Sequence, residues 1–193
     1  MSKTKRLLFL LSVIGLMAIS VVEIFAESAT NNPAFTIRRV EQQAVLYTIY
    51  RGNYDKTGAA IGRLFALAGQ KGMTPKGPPL YVYLNNPQYV SSEHWLTEIR
   101  IPVDDQSLKL AGTLGEMTDV KLLKATDVAV VVKPEGMADP APIYDQLQDW
   151  ILKQGYTATE GPLENFLTNP TGGNYAQMKT EIMIPVKKVS KGN

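Results

Sequence analysis

The chain has 193 residues, with 20 lysines and arginines against 18 aspartates and glutamates, a formal charge of +2, and no cysteine. Lys3, Lys5 and Arg6 outweigh Glu23 within residues 1–26 by the same two charges, so the remainder is close to neutral and carries no basic footprint for nucleic acid. The absence of cysteine excludes disulfides and thiol chemistry.

The basic start leads into an apolar run from Leu7 to Val22, 16 residues long, shorter than the roughly 20 needed for a helical bilayer span. Small residues follow at Ala26, Ser28 and Ala29. This pattern predicts a secretory signal over residues 1–26, cleaved near Ala26. Ile24 and Phe25 are bulkier than a cleavage site prefers, and an uncleaved leader would anchor the chain to the inner membrane through residues 7–22. Export to a periplasmic or other extracytoplasmic space is the expectation, with membrane contact only through an uncleaved leader. Residues 27–36 read as a polar linker.

Ala44–Tyr50 is rich in β-branched and aromatic residues and predicts a strand. Ile61, Leu64, Phe65 and Ala68 then form a helical stripe that stops at Gly72. A Gly77-Pro78 turn, a strand over Leu80–Leu84 and an Asn86-Pro87 turn lead to Thr97-Glu98-Ile99-Arg100-Ile101-Pro102-Val103. Leu108–Gly115 is a loose connector, and the whole order then recurs. Asp127–Val132 is the matching strand, and Asp139-Pro140 opens a helix with Ile143, Leu147, Trp150 and Ile151 on one face and Gly155 as its stop. Gly161-Pro162, Leu163–Leu167 and Asn169-Pro170 lead to Thr180-Glu181-Ile182-Met183-Ile184-Pro185-Val186, offset by 83 residues from the first phrase.

The chain therefore divides into repeat one (37–103), a connector (104–117), repeat two (118–188) and a tail (189–193), each repeat being β-α-β-β. Two such units predict an α+β fold in which pseudo-two-fold repeats form a curved antiparallel-rich sheet with both helices on one face.

The tandem plan, the Tyr50-Arg51-Gly52-Asn53-Tyr54 turn, Gly77-Pro78-Pro79, Asn86-Pro87 and the Glu-Ile-x-Ile-Pro-Val closures together resemble the GyrI-like small-molecule-binding domain, the effector-binding domain of AraC- and MerR-type regulators. The resemblance covers residues 37–188. No helix-turn-helix is read in the chain, so the resemblance implies a ligand binder rather than a DNA-binding regulator.

Strand alternation puts Glu181 with Met183, and Glu98 with Arg100, on the face opposite the apolar isoleucines. The resemblance implies a cleft acid that meets an amphipathic or cationic ligand between the repeats. Glu181 is favoured over Glu98 because Met183 stands in its phrase where Arg100 stands beside Glu98. Tyr47, Tyr81, Tyr83 and Trp95 are the candidate walls, since aromatic faces attract cations. Tyr81 and Tyr83 line the cleft if Val82 and Leu84 face the helices. The plain alternative makes both glutamates solvent-facing residues of a half-exposed sheet. His94 is the sole histidine, so neither a metal site, nor a histidine-activated nucleophile, nor a cofactor is expected. A hydrolase of electrophilic small molecules, using the same glutamate as general acid or base, is the alternative function that the resemblance implies.

Overall fold

The computed structural model describes residues 34–134, 136–137, 139–168 and 178–189. The expected leader, most of the linker, the Asn169-Pro170 turn and Tyr175 lie outside the described residues. In chain order the elements are β1 (Thr36–Val40), β2 (Gln43–Arg51), α1 (Thr57–Gln70), β3 (Leu80–Tyr83), β4 (Leu96–Val103), β5 (Thr118–Leu123), β6 (Thr126–Lys133), α2 (Ala141–Lys153), β7 (Tyr156–Ala158), β8 (Leu163–Phe166) and β9 (Thr180–Lys188). All the strands join one antiparallel sheet in the order β1-β6-β9-β8-β3-β4-β2-β5, with β7 added beside β9. The β-α-β-β units stand as expected: β2-α1-β3-β4 is followed by β6-α2-β8-β9.

Each unit has a leading strand that the sequence did not suggest, the second also has β7, and the two leading strands are exchanged. β1 precedes β2 but pairs with β6 of the second repeat, whereas β5 precedes β6 but pairs with β2 of the first. Only Glu41-Gln42 and Lys124-Ala125 link the strands. Neither dipeptide has the Gly or Asn that a two-residue hairpin needs for positive φ, so the chain crosses over instead of folding back. Two residues must then connect opposite ends of the sheet order. The sheet can satisfy that only by curling until β1 and β5 meet at the links.

One face of the curl carries the helices. α1 buries Thr57, Ala60, Leu64 and Ala68 against Leu46, Ile99 and Ile101. The stripe is rotated from the expected one, since Ile61 is half-buried and Phe65 is exposed. α2 buries Ile143, Leu147 and Ile151 against Ala129, Val131, Ile182 and Ile184. Asp139 accepts the Ala141 N–H at 3.0 Å, capping α2 as the sequence suggested. Trp150 is half-buried against this second core, with Phe35 at 5.8 Å. On the inside of the curl a third apolar cluster joins Leu80, Val82, Val128, Val130, Leu163 and Met183.

The central strands β3 and β8 pair with Tyr81 opposite Glu164. These two residues are also 83 positions apart, so the pseudo-two-fold axis passes between them. The Gly161-Pro162 turn delivers β8 to this axis. A Cβ on Gly161 would stand 2.9 Å from the Tyr83 carbonyl oxygen, a backbone atom that cannot yield without moving β3. Gly161→Ala is expected to lower stability by about 1–3 kcal/mol by chemical denaturation.

Candidate functional site

The axis has two sides, and the candidate residues are divided between them. Glu98, Glu181, Tyr47 and Met183 lie on the inside of the curl, while Tyr81, Tyr83 and Trp95 lie on the helix side with the first core or its neighbours. The condition under which Tyr81 and Tyr83 would join Glu181 is not met, because Val82 faces the inside with Leu80. Tyr81 packs instead toward α1, its hydroxyl donating to Thr57 Oγ1 at 3.3 Å.

On the inside, the two repeated glutamates are ion-paired. Arg38 grips Glu181 through both terminal nitrogens, at 3.0 and 2.9 Å. Glu98 accepts from Arg100 Nε and meets Lys121 Nζ at 2.7 Å. Arg38 and Lys121 are themselves 83 residues apart, on the exchanged strands β1 and β5. Each phrase glutamate thus holds the strand lent by the other repeat. Burial opposes ionisation of Glu98, but the hydrogen bonds and charges of Lys121 and Arg100 outweigh it and hold the carboxyl below its usual range. Tyr47 lies under Lys121, whose ammonium is 4.3 Å from the ring centre.

On the helix side the acid is Glu164, 8% exposed. Its Oε2 accepts from the Tyr83 hydroxyl at 2.8 Å and its Oε1 from the Tyr144 hydroxyl of α2 at 2.6 Å. Among the described residues no lysine or arginine pairs with it. Burial, followed by the Glu164 charge, drives the pKa values of both phenols well above the usual tyrosine range. They stay neutral and donate. Absorbance titration is expected to show at least two tyrosines failing to ionise near pH 10 in the folded chain and regained in denaturant; full ionisation near pH 10 would contradict this network.

The Tyr50–Tyr54 turn builds the adjoining wall. Gly52 adopts φ 132°, with a virtual Cβ only 3.0 Å from the Tyr50 hydroxyl, so glycine alone fits there. Asn53 Oδ1 accepts the Asp55 N–H at 2.9 Å, and Thr57 Oγ1 donates to the Tyr54 carbonyl at 2.6 Å. Tyr54 is thereby stacked on Trp95 at 4.3 Å and tilted against Tyr83 at 5.0 Å. Trp95 is fixed by its indole N–H donating to the Val90 carbonyl at 3.0 Å. Phe166 meets Tyr81 edge-on at 4.7 Å. The Tyr54 hydroxyl is buried without a hydrogen-bond partner among the described residues. α1 packs on β2 and β4 and α2 on β6 and β7, so these aromatics over β3 and β8 stand between the two helices.

Glu164 and Tyr144 were not among the residues singled out from sequence. The signal was present, because the 83-residue offset matches Glu164 to Tyr81 and alternation aligns it with Phe166. His94 is exposed, with Ser91 at 3.1 Å and Glu93 at 3.7 Å. No group of three metal-ligating side chains occurs among the described residues.

Residues 17–104 match the family model of the GyrI-like small molecule binding domain. A ligand-binding role fits that match. EcmrR in its DNA complex is similar in fold, with a TM-score of 0.66 at 16% identity over 81% of this chain. The present chain spans only 58% of that protein. The isolated EcmrR C-terminal domain superposes with a TM-score of 0.60 at 17% identity, over 81% of this chain and 99% of that domain. A Listeria innocua protein described as a hydrolase gives 0.61 at 12% identity, over 79% of this chain and 91% of its own. At these identities the likeness is one of fold. No curated protein sequence gives a significant match.

Proposed function

We propose that the domain binds an amphipathic or flat organic cation in the furrow between its helices, with Glu164 as counter-charge. The observation that carries this reading is a buried carboxylate held by two neutral phenols, with no basic partner among the described residues. Burying such a charge unpaired is costly, and a cationic ligand would offset that cost. Trp95, Tyr54 and Tyr83 supply ring faces for it, and the unpartnered Tyr54 hydroxyl offers a donor or acceptor. Glu164 takes the role that sequence reasoning assigned to Glu181, whose charge Arg38 already meets.

The test is a titration of the folded protein with a planar cation such as ethidium, followed by Trp95 fluorescence and calorimetry, in wild type and Glu164→Gln. Equal affinities would reject the role of Glu164. A hydrolase is the second reading, favoured by the neutral Tyr83 and Tyr144 phenols beside the carboxylate, an arrangement suited to proton transfer. It requires turnover of an epoxide probe that Glu164→Gln abolishes.

Export accords with the basic and apolar character of residues 1–26. N-terminal sequencing of protein recovered from the cell envelope is expected to start near Glu27, whereas an intact Met1 would identify an anchor.

A further inference from the structure

The reverse side of the same axis holds a second cleft. It has a volume of about 640 Å³ and lies inside the curl, where the two crossing links meet. Its walls include repeat mates from both halves, Leu80 with Leu163 and Pro102 with Pro185. Leu80, Leu163, Val128 and Met183 are buried and make an apolar floor. Among the wall positions that differ between the repeats, repeat one places Arg100 where repeat two places Met183.

Arg100 is the chemically informative residue. Its side chain is only 7% exposed. Nε is engaged by Glu98, yet neither terminal guanidinium nitrogen has a hydrogen-bond partner among the described residues. Glu98 divides its single charge between Arg100 and Lys121. The other charges do not answer Arg100. Arg38 is taken up by Glu181, and Asp119 accepts the Gly112 N–H at 2.7 Å. Lys76 and Lys124 also line the cleft, along with Glu41 and Glu160. A buried guanidinium with its fork unanswered, above an apolar floor, fits a carboxylate that bears a hydrocarbon body.

We infer that the inside of the curl is a second ligand site, selective for small amphipathic carboxylates, with Arg100 receiving the head group and the Leu80–Leu163 floor the tail. It is separate from the cation furrow, because β3 and β8 stand between Glu164 and Leu163 as opposite faces of one strand pair. The two sites therefore prefer opposite charges.

The experiment compares decanoate with decyltrimethylammonium, which pair similar tails with opposite heads, each below its micelle concentration. Calorimetry would use the folded wild type, Arg100→Met and Glu164→Gln. Arg100→Met copies the residue that repeat two already carries at this place, and it leaves Glu98 paired with Lys121. Decanoate affinity is expected to fall about tenfold or more in Arg100→Met and to stay unchanged in Glu164→Gln. A second readout needs no variant: decanoate should shift the Met183 methyl resonance of wild type. The proposal is overturned if decanoate binds wild type and Arg100→Met equally, if Glu164→Gln alone weakens it, or if Met183 does not respond. Failure of decyltrimethylammonium to bind wild type, with decanoate binding kept, would leave this site standing while rejecting the furrow.

Discussion

Glu98→Ala is expected to destabilise the fold by about 3–5 kcal/mol, because it strands a buried arginine. Arg100 is 6% exposed and Lys121 also leans on the same carboxylate. With Glu98 gone, the largely buried Arg100 guanidinium finds no other acid on its strand. The matching change in the second phrase, Glu181→Ala, is expected to cost about 1 kcal/mol. Its partner Arg38 has a side chain that is 49% exposed and can turn to solvent. Urea denaturation of the two variants measures the difference; equal losses would contradict this account of the strand clasps. The pH dependence has a definite sign. Since the folded-state value of Glu98 is depressed, its stabilisation is complete above the unfolded value of about 4.3 and is lost as the pH falls through the lower folded one. The gap between wild type and Glu98→Ala should therefore narrow below about pH 4.

Glu164→Gln is expected to weaken binding of a planar cation about thirtyfold or more, the loss typical when one member of a desolvated charge pair is removed. Glutamine keeps the shape and one acceptor for the phenols, so the loss reports the charge. Glu181→Gln is expected to leave that affinity within about twofold, as a pair on the other face of the sheet adds independently. This contrast separates the furrow from the phrase glutamates. Calorimetry on the two variants decides it.

The repeat made most of the fold legible in advance. Periodicity placed both helices, and the Thr-Glu-Ile-x-Ile-Pro-Val phrases fixed β4, β9 and the faces of their side chains. The sequence concealed the destinations of β1 and β5. Their short, mixed runs open the two repeats without a clear strand pattern, and strand exchange is a property of pairing between distant segments. That omission carried through to the site. Without β1 there was no visible partner for Glu181, because Arg38 is 143 residues away. Glu164 escaped notice because it stands outside the repeated phrase, in a short strand whose counterpart carries tyrosine. The resemblance suggested an acid among aromatics, and choosing among acids required knowing which were already paired.

The crossing of β1 and β5 bears on the origin of the molecule. Neither repeat is complete by itself, since each takes an outer strand and a salt-bridge partner from the other. A chain of one repeat could recover the same pairings only by trading its first strand with a second copy. The duplicated gene thus has the form of a strand-swapped homodimer sealed into a single polypeptide. Once sealed, the copies were free to diverge at the axis, where identical subunits would have been bound to place two tyrosines or two glutamates face to face. Tyr81 opposite Glu164 is an asymmetry open only to the fused chain.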